Sequence, residues 1–198
     1  MRRSIQLAAA VALACLAGTP ARADVFGTFN LAWSGASFSN GARATGQIVI
    51  DLTTITNPGS ELANSSLSPW IQSISVTVTG ASSGNGTFST TDFWKDWWST
   101  GGATLNLATQ LVGQPVAGGT WGPPDVSSTY GEFNLFSFTT APSGLNAFTL
   151  GTNGGSGDPM LLTSFAPASG GSVPEPATFA LLGTGLVLGG LARRRRRA

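Results

Sequence analysis

Ser73-Ile74-Ser75-Val76-Thr77-Val78-Thr79 alternates a branched apolar side chain with a hydroxyl at every step. Successive side chains of an extended chain point to opposite faces. The run therefore predicts a strand with Ile74, Val76 and Val78 turned inward and the Ser and Thr hydroxyls in water. Outward from it, Ile48, Ile50 and Leu52 repeat the pattern and end at the turn signal Asn57-Pro58-Gly59. Leu105 and Leu107 alternate with Thr104 and Asn106, Phe148 and Leu150 flank Thr149, and residues 25–33 and 131–140 add two further strand candidates. Within 131–140, Phe133 and Leu135 fall out of phase with Phe136 and Phe138, which predicts a bulge or burial on both faces.

Ser39-Asn40-Gly41, the Ser82 to Gly86 cluster, Gly118-Gly119, Gly122-Pro123-Pro124 and Asn153-Gly154-Gly155 punctuate these runs. Asn-Gly pairs permit positive φ and prolines fix kinks, so antiparallel connections are expected between the strands. Some seven to nine short strands of uneven spacing predict an all-β body, an antiparallel β-sandwich or jelly roll rather than a solenoid. Composition agrees: charged residues make up 10% of the 198-residue chain, too few to clothe helices, and there are 27 glycines.

Both ends read as processing signals around a body at 24–172. Met1-Arg2-Arg3 precedes an apolar run from Ile5 to Leu16, and Ala21 and Ala23 place small side chains at −3 and −1 of a cut before Asp24. That is the pattern of a secretory signal peptide over 1–23, which engages the Sec translocon and signal peptidase. Cys15 lies inside the apolar core, where a lipoprotein site fits poorly, and Ser4-Ile5-Gln6-Leu7 follows Arg2-Arg3 unlike a twin-arginine signal. At the other end, Val173-Pro174-Glu175-Pro176 is followed by an apolar stretch over 177–192 and then by Arg193, Arg194, Arg195, Arg196 and Arg197. As a helix that stretch would be roughly 24 Å long, a short and glycine-weakened transmembrane segment, with the arginines as a cytoplasmic stop.

The tail resembles the PEP-CTERM sorting signal over 173–198, on Pro174, Glu175 and Pro176, the apolar helix and the arginine cluster. The resemblance implies export across the inner membrane of a Gram-negative cell that makes extracellular polysaccharide. It also implies transient membrane anchoring, recognition and removal of the tail by an exosortase, and a final place at the cell surface or in the matrix. The two prolines and the acid of that motif are then read by another enzyme and do no chemistry of their own. Less specifically, the segments 33–38, 44–48, 111–115 and 157–160 are similar to phrases in uncharacterised proteins with such tails.

Removing both signals changes the charge argument. The body keeps two cations, Arg43 and Lys95, against Asp24, Asp51, Glu61, Asp92, Asp96, Asp125, Glu132 and Asp158, a net charge of −6. Such a surface repels phosphate backbones, so no nucleic-acid partner is expected. The chain has no histidine and, once Cys15 is removed with the leader, no thiol, which excludes Ser-His-Asp and Cys-His catalysis and leaves transition metals almost no ligands. Asp92, Asp96, Asp125 and Asp158 offer oxygen ligands for calcium but lack the spacing of a calcium loop. The expectation is a protein that is not an enzyme and has no cofactor and no metal.

One cluster stands out. Trp94, Trp97 and Trp98 fall at i, i+3, i+4 within Asp92-Phe93-Trp94-Lys95-Asp96-Trp97-Trp98. Exposed indoles stack on sugar rings and nearby carboxylates accept from sugar hydroxyls, so these residues form a candidate carbohydrate-binding platform, with Trp121 to Asp125 as a neighbouring loop. Burial is the competing and commoner fate of such rings, at about 2–3 kcal/mol each. A glycan hydrolase built on Asp92 with Asp96, or Asp125 with Glu132, is a third reading.

Overall fold

In the computed structural model, residues 24–122, 130–137, 147–152 and 158–168 are described, all but Asp24 belonging to one compact unit that holds the body. Its strands are β1 (Phe26–Ser34), β2 (Arg43–Asp51), β3 (Ser60–Ala63), β4 (Ile71–Thr79), β5 (Gly86–Ser89), β6 (Lys95–Ser99), β7 (Pro115–Val116), β8 (Gly119–Thr120), β9 (Glu132–Phe136), β10 (Thr149–Gly151) and β11 (Met160–Pro167). Two three-residue 3-10 turns lie at Ala36–Phe38 and Thr90–Asp92. β4 alternates as its sequence predicts, with Ile74, Val76 and Val78 buried and the hydroxyls between them exposed.

Nine strands form one sheet in the order β3-β6-β9-β10-β11-β1-β2-β4-β5, and β7 with β8 makes a separate hairpin at the predicted Gly118-Gly119 turn. All neighbouring pairs are antiparallel except β9 with β10, where Leu135 lies opposite Leu150 in a parallel ladder. The sheet curls over its own apolar face. Trp70, directly before β4, and Trp98 of β6 have ring centroids 5.5 Å apart, although β4 and β6 stand six places apart in the strand order. Flat, those strands would be separated by roughly 29 Å.

The expected two-sheet sandwich or jelly roll is thus corrected to a single curled sheet. Alternation tells which side of a strand is apolar; it does not tell which strand will lie beside it. Residues 104–107 are a second correction, since they are not a strand. The Asn57 side-chain amide accepts from the Leu105 N–H (2.8 Å) and donates to the Leu105 carbonyl (2.9 Å), giving the backbone partners that a ladder would otherwise supply. Residues 131–136 are buried throughout, so burial on both faces rather than a bulge explains the shifted phase there.

The core is dominated by aromatic rings. Trp98 meets Trp70, Trp121, Phe133 and Phe165 at centroid separations of 5.5–6.3 Å, and Trp121 meets Phe148 edge-on at 4.9 Å. Such tilted and edge contacts suit ring quadrupoles and add to area burial. The close approach of Trp121 is permitted by Gly131, at φ +102, where a Cβ would collide with the indole.

The ends of the body meet. β1 and β11 are neighbours in the middle of the sheet, with Phe29 opposite Pro167, and the Ala168 N–H donates to the Thr28 carbonyl at 2.8 Å. Both segments through which the body joins its predicted signals therefore leave from the same rim of the sheet.

Candidate functional site

The Trp94 to Trp98 cluster folds as a lead-in and a strand, not as a helical face. From Lys95 to Ser99 the burial alternates: Asp96 and Trp98 point into the core, while Lys95, Trp97 and Ser99 lie on the outer face. Trp98 is fully buried, and its Nε1–H donates to the Thr56 carbonyl at 2.7 Å. It cannot stack on a ligand, so it leaves the candidate platform. Trp94 and Trp97 remain exposed, at 47% and 41%, whereas the other four tryptophans are buried.

Register supplies Trp97 with a partner that the sequence did not reveal. Leu62 of β3, 46% exposed, lies directly opposite Trp97, and Ser60 lies opposite Ser99 in the next outward-facing row. On the other side, β9 places Asn134 opposite Trp97 and Glu132 opposite Ser99. β3 is an edge strand of four residues containing a glutamate, too short and too polar for its alternation to register. The result is an apolar strip, Leu62 with Trp97, bordered by serine hydroxyls.

The carboxylates are held by serines and threonines. Ser89 donates its N–H (2.7 Å) and hydroxyl (2.8 Å) to Asp92, and Ser82 does the same for Asp158 at 2.8 Å each. Thr53 serves Asp51 likewise, through its N–H at 2.8 Å and its hydroxyl at 2.6 Å. Donors aimed at the charged form lower these pKa values: the Ser89 and Ser82 N–H groups chiefly for Asp92 and Asp158, the Thr53 hydroxyl for Asp51. A body nearly without cations thus answers its charges with hydroxyl residues, which Ser- and Thr-rich composition makes available.

Asp96 is the exception in sign. It accepts the Ser68 N–H at 2.6 Å and the Ser68 hydroxyl at 2.7 Å, yet burial outweighs these bonds and, with the Glu61 charge adding to it, pushes its pKa up to about 6. Burial also raises Glu132, against a bond from the Asn134 amide at 2.5 Å. Folding therefore favours protonated Asp96. The stability it contributes is full below the ordinary carboxylate range and is lost as pH rises through about 6, whereas Asp51, Asp92 and Asp158 contribute above that range and lose it on acidification. Asp96→Asn preserves the acceptor for the Ser68 N–H and removes the charge. Urea unfolding should show the variant more stable than the parent at pH 7, by up to about 3 kcal/mol, the two converging near pH 4. An unchanged pH slope would show that Asp96 is not the titrating group.

Asp92 and Asp96 thus occupy different surroundings, one capping an exposed turn and the other inside the core. Among the described residues no group of three or more acids, histidines or cysteines is placed to hold a metal ion, and no helix is long and apolar enough to cross a membrane. A shallow depression of about 290 Å³ on the outer face is lined by Thr45, Gly46, Gln47, Ser75 and Thr77, all uncharged. Outside the described residues lie Ala21 and Ala23, Asp125, Pro174, Glu175 and Pro176, the 177–192 stretch, and Arg193 through Arg197; Asp24 is described and exposed.

No curated protein and no solved structure matches the chain. A family model does match at its end: the PEP-CTERM protein-sorting motif, over residues 172–197, one residue offset at each end from the 173–198 read from the sequence. The chain carries a PEP-CTERM protein-sorting motif, the signal of an exported protein handled by an exosortase, behind a curled all-β body.

Proposed function

We propose that the chain is a non-enzymatic protein of the cell surface or extracellular matrix, delivered by two successive cuts. Sec export and signal peptidase would remove 1–23, the tail would hold the body at the inner membrane, and exosortase would then detach it at the Pro174-Glu175-Pro176 motif. The matched motif at 172–197 carries this reading. The absence of histidine and of a mature thiol supports a binding or structural role, as does the engagement of Asp51, Asp92, Asp96 and Asp158 by hydroxyl residues. Deleting 173–198 is expected to abolish membrane retention and C-terminal processing while export continues. Cell fractionation with intact-mass measurement checks this, and unchanged location and processing would overturn it.

A second reading is favoured by the exposure of Trp94 and Trp97 on a body that buries its other indoles. Large exposed aromatics on a soluble surface mark contact sites, and the two rings make the body a carbohydrate-binding module for matrix polysaccharide.

A further inference from the structure

The surroundings of Trp97 narrow the class of polysaccharide. Leu62 and Trp97 sit opposite one another on paired strands about 4.8 Å apart, which makes one continuous apolar strip at the sheet edge. The next outward row is the Ser60 and Ser99 pair. Lys95 shares the outer face of β6 with Trp97, but the body as a whole carries −6 and its other cation, Arg43, lies on β2, toward the opposite edge of the sheet. An anionic chain would approach against this field with one ammonium to receive it. A cationic chain would be drawn to the body anywhere and would not require an indole. What an indole, a leucine and two hydroxyls accommodate is the apolar face and rim hydroxyls of an uncharged pyranose.

We infer that Leu62 and Trp97 form a stacking site for an uncharged polysaccharide and discriminate against uronate-bearing chains. This rests on the carbohydrate-binding reading and specifies its ligand class. Binding of the purified full chain to a soluble neutral β-glucan, to alginate and to deacetylated polyglucosamine, followed by tryptophan fluorescence, tests it. The glucan should bind with little dependence on salt. Trp97→Ala should weaken it at least tenfold and Leu62→Ser severalfold, while Thr77→Lys in the distant depression leaves it unchanged.

Failure with all three polymers would overturn the carbohydrate-binding reading itself. Binding of alginate as tight as that of the glucan would overturn only the ligand class. So would binding confined to polyglucosamine, suppressed by salt and indifferent to Trp97→Ala. A dimer in solution that Trp97→Ala disperses would instead make the strip an interface between copies of this chain. Because Trp97 is exposed, an unaltered thermal melt of the Trp97→Ala protein separates lost binding from lost folding.

Discussion

A chain truncated after Pro159 is expected not to fold, whereas one truncated after Ser172 should keep the native fold. The missing segment is β11, fifth of nine strands in the sheet, which pairs with β1 on one side and β10 on the other. Without it the order breaks into β3-β6-β9-β10 and β1-β2-β4-β5, and each fragment exposes an edge that the intact sheet buries. Met160, Leu161, Leu162 and Phe165 leave the core with it. At about 1.5–3 kcal/mol for each such side chain, their loss matches the whole stability of an ordinary domain. Far-UV circular dichroism and resistance to protease distinguish the two truncations. A cooperative melt from the shorter one would show that the halves of the sheet are independent.

The second large effect separates two adjacent tryptophans. Trp98→Ala should destabilise the body by about 3–5 kcal/mol, as expected for deleting a large ring from a packed interior. Four aromatic neighbours would line the resulting cavity, and the Thr56 carbonyl would lose its indole donor. Trp97→Ala, one residue away, should change stability by no more than about 0.5 kcal/mol, because its side chain is half in solvent. Parallel chemical denaturation of the two variants measures the contrast. Equal losses would mean that the alternation of β6 has been misassigned.

That contrast also marks how far the sequence could be read. Ile74, Val76 and Val78 announce their strand because every buried position is apolar and every exposed one is polar. β6 obeys the same geometry, but Asp96 is buried and Trp97 exposed, so polarity no longer reports which way a side chain points. The spacing of Trp94, Trp97 and Trp98 then mimics one face of a helix. What restores the true pattern is Ser68, 28 residues earlier, whose two donors make Asp96 acceptable in the core. No local pattern contains that information.

The candidate site shows the same division. Trp94 and Trp97 were visible as chemistry, while Leu62 could be joined to Trp97 only by the pairing of β3 with β6. The sorting motif was legible because its proline pair, apolar run and arginines follow one another along the chain. The curl of the sheet was illegible for the opposite reason. It depends on a continuous ladder that includes one parallel pairing, β9 with β10, between strands that do not announce each other.

The meeting of the first and last strands, Phe29 opposite Pro167, has a consequence for engineering as well as for maturation. Chain order and fold are separable here: a short linker from Ala168 back to the start of β1 would close the backbone into a ring, and new termini could be opened at a turn elsewhere, such as Gly118-Gly119. Were leader and tail removed as proposed, the stubs of the body beside Phe29 and Pro167 would stand side by side on one rim of the sheet.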